Sequence, residues 1–97
     1  MLHLIFQSSF DSALLQRIEA GDDVIFLENA IFRVVKQGFL ATKLQALLKN
    51  RVYLHVLHVE LETRGVTAEE LVSGIKIIDY PDLVKLTEKN RVIKTWN

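Results

Sequence analysis

The sequence predicts a small three-layer α/β/α domain with a mainly parallel sheet of four or five strands, and three observations carry that expectation. Short apolar runs alternate along the chain with stretches of helical periodicity, the pattern of a parallel sheet whose crossovers are helices. One run, Val24-Ile25-Phe26-Leu27, is apolar at successive positions between Asp22-Asp23 and Glu28-Asn29, and a strand without alternation is one buried on both faces. The turn formers are spread out as punctuation: a single proline, Pro81, and the glycines Gly21, Gly38, Gly65 and Gly74. No linker, low-complexity segment or internal repeat interrupts them.

The elements follow in order. Leu2–Phe6 reads as the first strand. Ser8, Ser9 and Asp11 then offer N-cap oxygens to a helix whose buried side is Leu14, Leu15 and Ile18 and which Gly21 ends. After the Val24–Leu27 strand, Ala30–Val35 suits a short helix capped by Asn29. Leu40, Leu44, Leu47 and Leu48 fall at i, i+4, i+7 and i+8, one face of a helix. Val52–Leu57 is a β-branched and aromatic strand. Thr67-Ala68-Glu69-Glu70 is a capping box that opens a short helix. Ile75–Ile78 is the fourth strand. Pro81, behind Asp79 and Tyr80, opens a helix carrying Leu83, Val84 and Thr87, and Val92–Trp96 closes the chain as a short strand.

Composition narrows the chemistry. Residues 1–97 are the size of one domain; 49% hydrophobic content and a mean hydropathy of +0.19 exclude disorder. That apolar content is high for so small a domain, a hint that another chain covers part of the surface. Lys+Arg and Asp+Glu balance at 12 each, 5 of each sign in residues 1–50 and 7 of each in residues 51–97. This is not the basic excess of a self-standing nucleic-acid binder. There is no cysteine, so this chain holds no thiolate nucleophile, persulfide, disulfide or Cys-ligated metal. The start lacks a basic n-region, its apolar run is too short for a signal peptide, and no stretch approaches the ~18–20 apolar residues of a spanning helix. The expected compartment is the cytoplasm.

Candidate sites are few. In a parallel sheet ligands gather beyond the carboxyl ends of the strands, which singles out the Gln7–Ser12 loop, whose serine hydroxyls Ser8, Ser9 and Ser12 offer a phosphate or nucleotide cradle. The loop has no glycine, and Asp11 opposes an anion there, so N-capping is the plainer role. Neither GxGxxG nor GxxxxGK[ST] occurs. His58 and Glu60 are the best-placed acid–base pair for a stand-alone enzyme, at the end of the Val52–Leu57 strand. His55 and His58 lack a third metal ligand, and with His3 they are read as bonding backbone or solvent. Asp22-Asp23 is read as a solvated turn at the amino end of a strand, and Asp79 as a helix cap. Lys85, Lys89, Arg91 and Lys94 are either cations at a helix C-terminus or a contribution to an RNA-binding surface built from several chains. Trp96 is either a core plug or an interface anchor. No catalytic residue, metal ligand or cofactor is assigned.

Several segments taken together resemble the TusB/DsrH family: Met1-Leu2-His3, Gly21 through Ala30, Glu60-Leu61-Glu62-Thr63-Arg64-Gly65, Ile78 through Thr87, and the late Trp96. The resemblance spans nearly the whole chain in the right order. It implies a DsrEFH-like fold and a small subunit of a sulfur-relay complex, a dimer of heterotrimers with TusC- and TusD-like partners (DsrF and DsrE in sulfur oxidisers). That assembly passes persulfide sulfur toward 2-thiolation of the tRNA wobble uridine, the carrier cysteine belonging to the TusD-type subunit. Gly21, Asp22, Arg64, Gly65, Asp79, Tyr80 and Trp96 are the motif residues, with structural or interface roles. Some DsrH-type members carry a cysteine in the region of Leu14; leucine here favours tRNA thiolation over sulfur oxidation and a scaffold that carries no sulfur itself. Without partners the isolated chain is expected to self-associate.

Overall fold

Every pairing in the five-stranded sheet is parallel, in the order β4-β3-β2-β1-β5: β1 Leu2–Ile5, β2 Asp23–Phe26, β3 Tyr53–Leu57, β4 Lys76–Ile78 and β5 Ile93–Trp96. The computed structural model describes residues 1–7 and 10–97. The chain starts in β1 and steps outward in one direction to β4. Parallel crossovers are right-handed, so connections that step the same way lie on the same face. That puts α1 (Ser12–Leu15), the 3₁₀ segment Glu28–Arg33, α2 (Ala41–Lys49) and α3 (His58–Arg64) on one side. The return to β5, on the far side of β1, reverses the step, and α4 (Tyr80–Lys89) covers the other side.

Strand alternation divides the apolar residues accordingly. Ile5, Val24, Phe26, Leu54 and Val56 face the larger core with Phe10, Leu14, Leu15, Ile31, Leu44 and Leu61. Leu2, Ile25, Leu27, Leu57 and Ile78 face the smaller one, where α4 contributes only the partly buried Leu83 and Leu86. No residue of α4 is fully buried.

Several sequence expectations need correction. The first helix is a single turn, Ser12–Leu15, capped by Asp11, whose Oδ1 accepts from the Ala13 and Leu14 amides; Ile18 and Gly21 lie beyond it in irregular chain. Asn29 caps nothing, because the 3₁₀ segment begins one residue earlier, at Glu28, with Leu27 at the N-cap. The residue pattern also gave no helix at His58, where β3 passes directly into α3 with Leu57 as the junction. The Thr67–Glu70 capping box does form, around a 3₁₀ turn at Ala68–Glu70, and Asp79 caps α4, with Pro81 in its first turn. Among the described residues no helix is long and apolar enough to cross a membrane.

Candidate functional site

Two polar clusters sit at the amino end of the sheet, both organised by the aspartate pair read from sequence as a solvated turn. That reading is wrong: Asp22 and Asp23 are both buried. Asp22 Oδ2 accepts from His3 Nε2 at 2.9 Å and from the Glu19 amide at 3.0 Å, and Oδ1 pairs with the amino group of Met1 at 3.2 Å. His3 Nδ1 in turn accepts from the indole Nε1–H of Trp96 at 3.1 Å. Because indole only donates, this assigns the His3 proton to Nε2. Burial pushes the Asp22 carboxyl up, but the Glu19 amide, His3 and the Met1 amine together hold it below its ordinary value.

Asp23 builds the second cluster on the α4 side. Its Oδ1 meets His55 Nε2 at 3.3 Å, and Oδ2 accepts from Lys89 Nζ and Asn90 Nδ2, both at 3.1 Å. The end of α4 is thus clamped to the start of β2. Burial again raises the Asp23 carboxyl, and bonds from Asn90, Lys89 and His55 overcome it and lower it. Burial depresses the His55 pKa, only partly opposed by Asp23 and reinforced by the nearby Lys76 and Lys89. So His3 and His55 bond carboxylates rather than backbone or solvent, as an imidazole within a strand requires a polar partner when buried. The sequence holds the pieces, a histidine in each of two strands and two adjacent acids at the start of a third, but it does not pair them.

At the carboxyl end a cavity of about 120 Å³ lies between the β3–α3 and β4–α4 junctions, lined by Leu57, His58, Val59, Ile78, Asp79 and Tyr80. The expected acid–base pair does not assemble there. His58 is exposed and pairs with Glu62 at 3.2 Å one helical turn on. Glu60 instead pairs with Arg64 and accepts from the Glu28 amide at 3.1 Å. Arg64 also reaches Asn29 Oδ1 at 3.4 Å, tying α3 to the 3₁₀ segment. Among the described residues no group of three or more His, Cys, Asp or Glu is placed to hold a metal ion. Of the serine loop, Ser8 and Ser9 lie outside the described residues, while Ser12 is the first residue of α1.

The remaining motif residues have mixed surroundings. Gly21 (φ +92°) precedes Asp22, and Gly65 (φ +67°) ends α3 in the left-handed conformation that favours glycine. Asp79 caps α4, and Tyr80 is exposed. Trp96 is half-buried against the larger core, with the Lys94 ammonium 5.0 Å and the Arg17 guanidinium 5.7 Å from its ring. The basic residues near the C-terminus do not act as one cluster. Lys89 is bound to Asp23, Lys94 lies over Trp96, and Lys85 faces a groove between α4 and β4.

The family model DsrH, described as DsrH like protein, matches residues 6–93. Protein TusB of Erwinia tasmaniensis is 32% identical over 99 aligned positions, covering 99% of this chain and 100% of that protein. Protein TusB of Escherichia coli K12 is 28% identical with the same coverage. Among solved structures, the ychN protein of E. coli superposes with a TM-score of 0.75 at 13% identity, over 98% of this chain and 97% of that one. The protein of unknown function MTH1491 from Methanobacterium thermoautotrophicum gives 0.73 at 11% identity, over 97% and 95%. At such identities these two likenesses establish the α/β fold and nothing further.

Proposed function

This chain belongs to the DsrH-like family, and from that premise we propose that it is the non-catalytic, scaffolding subunit of a TusBCD-like cytoplasmic complex that relays persulfide sulfur toward 2-thiolation of the tRNA wobble uridine. The observation that carries the reading is the absence of any cysteine from the 97 residues. Sulfur moves between carriers by thiolate attack, so each carrier needs a thiol of its own. A cysteine-free subunit contributes by positioning and covering the reactive cysteine of a partner. Leu14, in the region where some DsrH-type members carry a cysteine, is here a core residue of α1.

TusC- and TusD-like chains, in a dimer of heterotrimers, are the partners this reading requires. The lightly covered face of the sheet supports it: Tyr80, Val84 and Ile93 are each about half exposed there, and apolar surface of this kind on a small protein marks contact with other chains. The test is native mass spectrometry of the tagged chain recovered from its own cells, together with 2-thiouridine measurement in tRNA from a strain lacking the gene. Recovery with two α/β chains, one bearing a reactive cysteine, and loss of 2-thiouridine are expected. Recovery of the chain alone, with normal thiolation, would falsify the reading.

A further inference from the structure

Between α4 and the edge strand β4 runs a groove of about 400 Å³, large enough for a small ligand. Three of its lining residues are Lys76, Lys85 and Lys89, and the one acid among them is Asp82. Asp82 is engaged, its Oδ2 accepting from the Asp79 amide at 3.3 Å in the α4 capping box, and Lys89 is bound to Asp23. Lys76 and Lys85 form no ion pair within 4 Å among the described residues.

The second observation is His55, which lines the same groove and is 6% exposed. The ionised Asp23 carboxylate can only accept, so the bond to it fixes the His55 proton on Nε2. Nδ1 then presents a lone pair, buried and without a hydrogen-bond partner, and a buried acceptor left unpaired costs about 1–3 kcal/mol. The lysines are one-sided company for it: they supply donors and positive charge and take no proton from a neighbour. What satisfies both sets of groups at once is an oxyanion that still carries one proton, its O–H donating to Nδ1 and its other oxygens accepting from the ammonium groups.

We propose that the α4–β4 groove is a binding site for inorganic phosphate, with the P–OH group on His55 Nδ1 and the remaining oxygens on Lys76 and Lys85. Around His55 the charged groups are Asp23 from β2, Lys76 from β4 and Lys85, Lys89 and Asp82 from α4. Burial, reinforced by Lys76 and Lys89, keeps the ring from protonating, so Nδ1 stays an acceptor in neutral solution. The site does not depend on the relay reading.

Titration of the full chain with inorganic phosphate, followed through the imidazole ¹⁵N resonances at constant ionic strength, tests this. Inorganic phosphate is expected to shift His55 Nδ1 saturably, with His58 unmoved. Sulfate, and a short RNA without terminal phosphates, carry no O–H on the anion and are expected to leave His55 unshifted. Lys85→Gln and Lys76→Gln alter exposed side chains, spare the fold, and each weaken phosphate about five- to tenfold. Equal response to sulfate would reduce the site to general counter-ion attraction, response to the RNA alone would make the groove a nucleic-acid contact, and unchanged affinity in both lysine variants would place phosphate elsewhere. Each of these outcomes overturns the proposal.

Discussion

The two faces of one sheet are built to different standards. Among the described residues, 18 buried side chains form the core under α1, α2, α3 and the Glu28–Arg33 segment, against 5 under α4. Geometry explains the difference. Five strands spaced about 4.8 Å apart make a surface roughly 20 Å wide, and one helix about 10 Å across covers only half of it. Topology assigns a single crossover to that face, so the ground on either side of α4 stays open whatever its sequence. The lesson is that the thick face supplies stability and the thin face is held by polar contacts, chiefly the Asp23 clamp, which leaves it free for recognition.

The sharpest way to break this comparison is to delete one side chain from each face. Phe26→Ala, fully buried in the larger core, is expected to cost about 3–5 kcal/mol, while Leu86→Ala, partly buried under α4, costs about 1 kcal/mol. Similar shifts in the urea midpoints would erase the distinction. Asp23→Asn comes next. It weakens the bonds to Lys89, Asn90 and His55 at about 1–3 kcal/mol, and amide exchange should accelerate over the last turn of α4 while the centre of β3 stays protected. Uniform acceleration would show that α4 is not a separately held layer.

The same clamp predicts a pH dependence. The folded His55 has a pKa below its ordinary 6.5, so the unfolded chain binds a proton that the native one resists. Stability is therefore full above that value and falls as pH drops through it toward the depressed folded pKa. Asp22 and Asp23, both lowered from 3.8, keep their contribution until the pH falls below that figure. Melting temperatures of the wild type should decline as pH falls below the ordinary 6.5, and His55→Gln should flatten that segment; an unchanged slope would remove His55 as its source. Gly65→Ala, forced to φ +67°, is expected to cost about 1 kcal/mol on the thick side. Val84→Lys, on the outside of α4, should move stability by less than about 0.5 kcal/mol; a larger loss would mean the thin face carries more packing than its burial indicates.

Local signals gave most of the fold. The unalternating Val24–Leu27 run, the Thr67 capping box and Asp79 ahead of Pro81 each act within a few residues, and strand and helix form where they indicate. α3 escaped because it starts without a capping side chain or turn former, straight from β3. The polar clusters escaped for a different reason. Asp22 finds His3 at a separation of 19 residues, and Asp23 finds His55 and Lys89 at 32 and 66. Two acids before a strand look the same whether water or imidazole awaits them, and only the parallel register decides. His58 and Glu60 illustrate the reverse: neighbours in sequence, they are drawn to Glu62 and Arg64 by helical spacing that became visible only once α3 was known.

The pairing of β5 with β1, locked by the Trp96–His3 bond across 93 residues, also sets an order of events during synthesis. Strands β1 to β4 can assemble as they emerge, but the outer edge of β1 has no strand of this chain to meet until residue 96 has left the ribosome. For that interval its backbone donors and acceptors offer a template to any extended segment nearby. A chain whose translation stalls within α4 would therefore present a sheet with β1 as an unprotected edge, and β5 acts as the seal that ends this exposure.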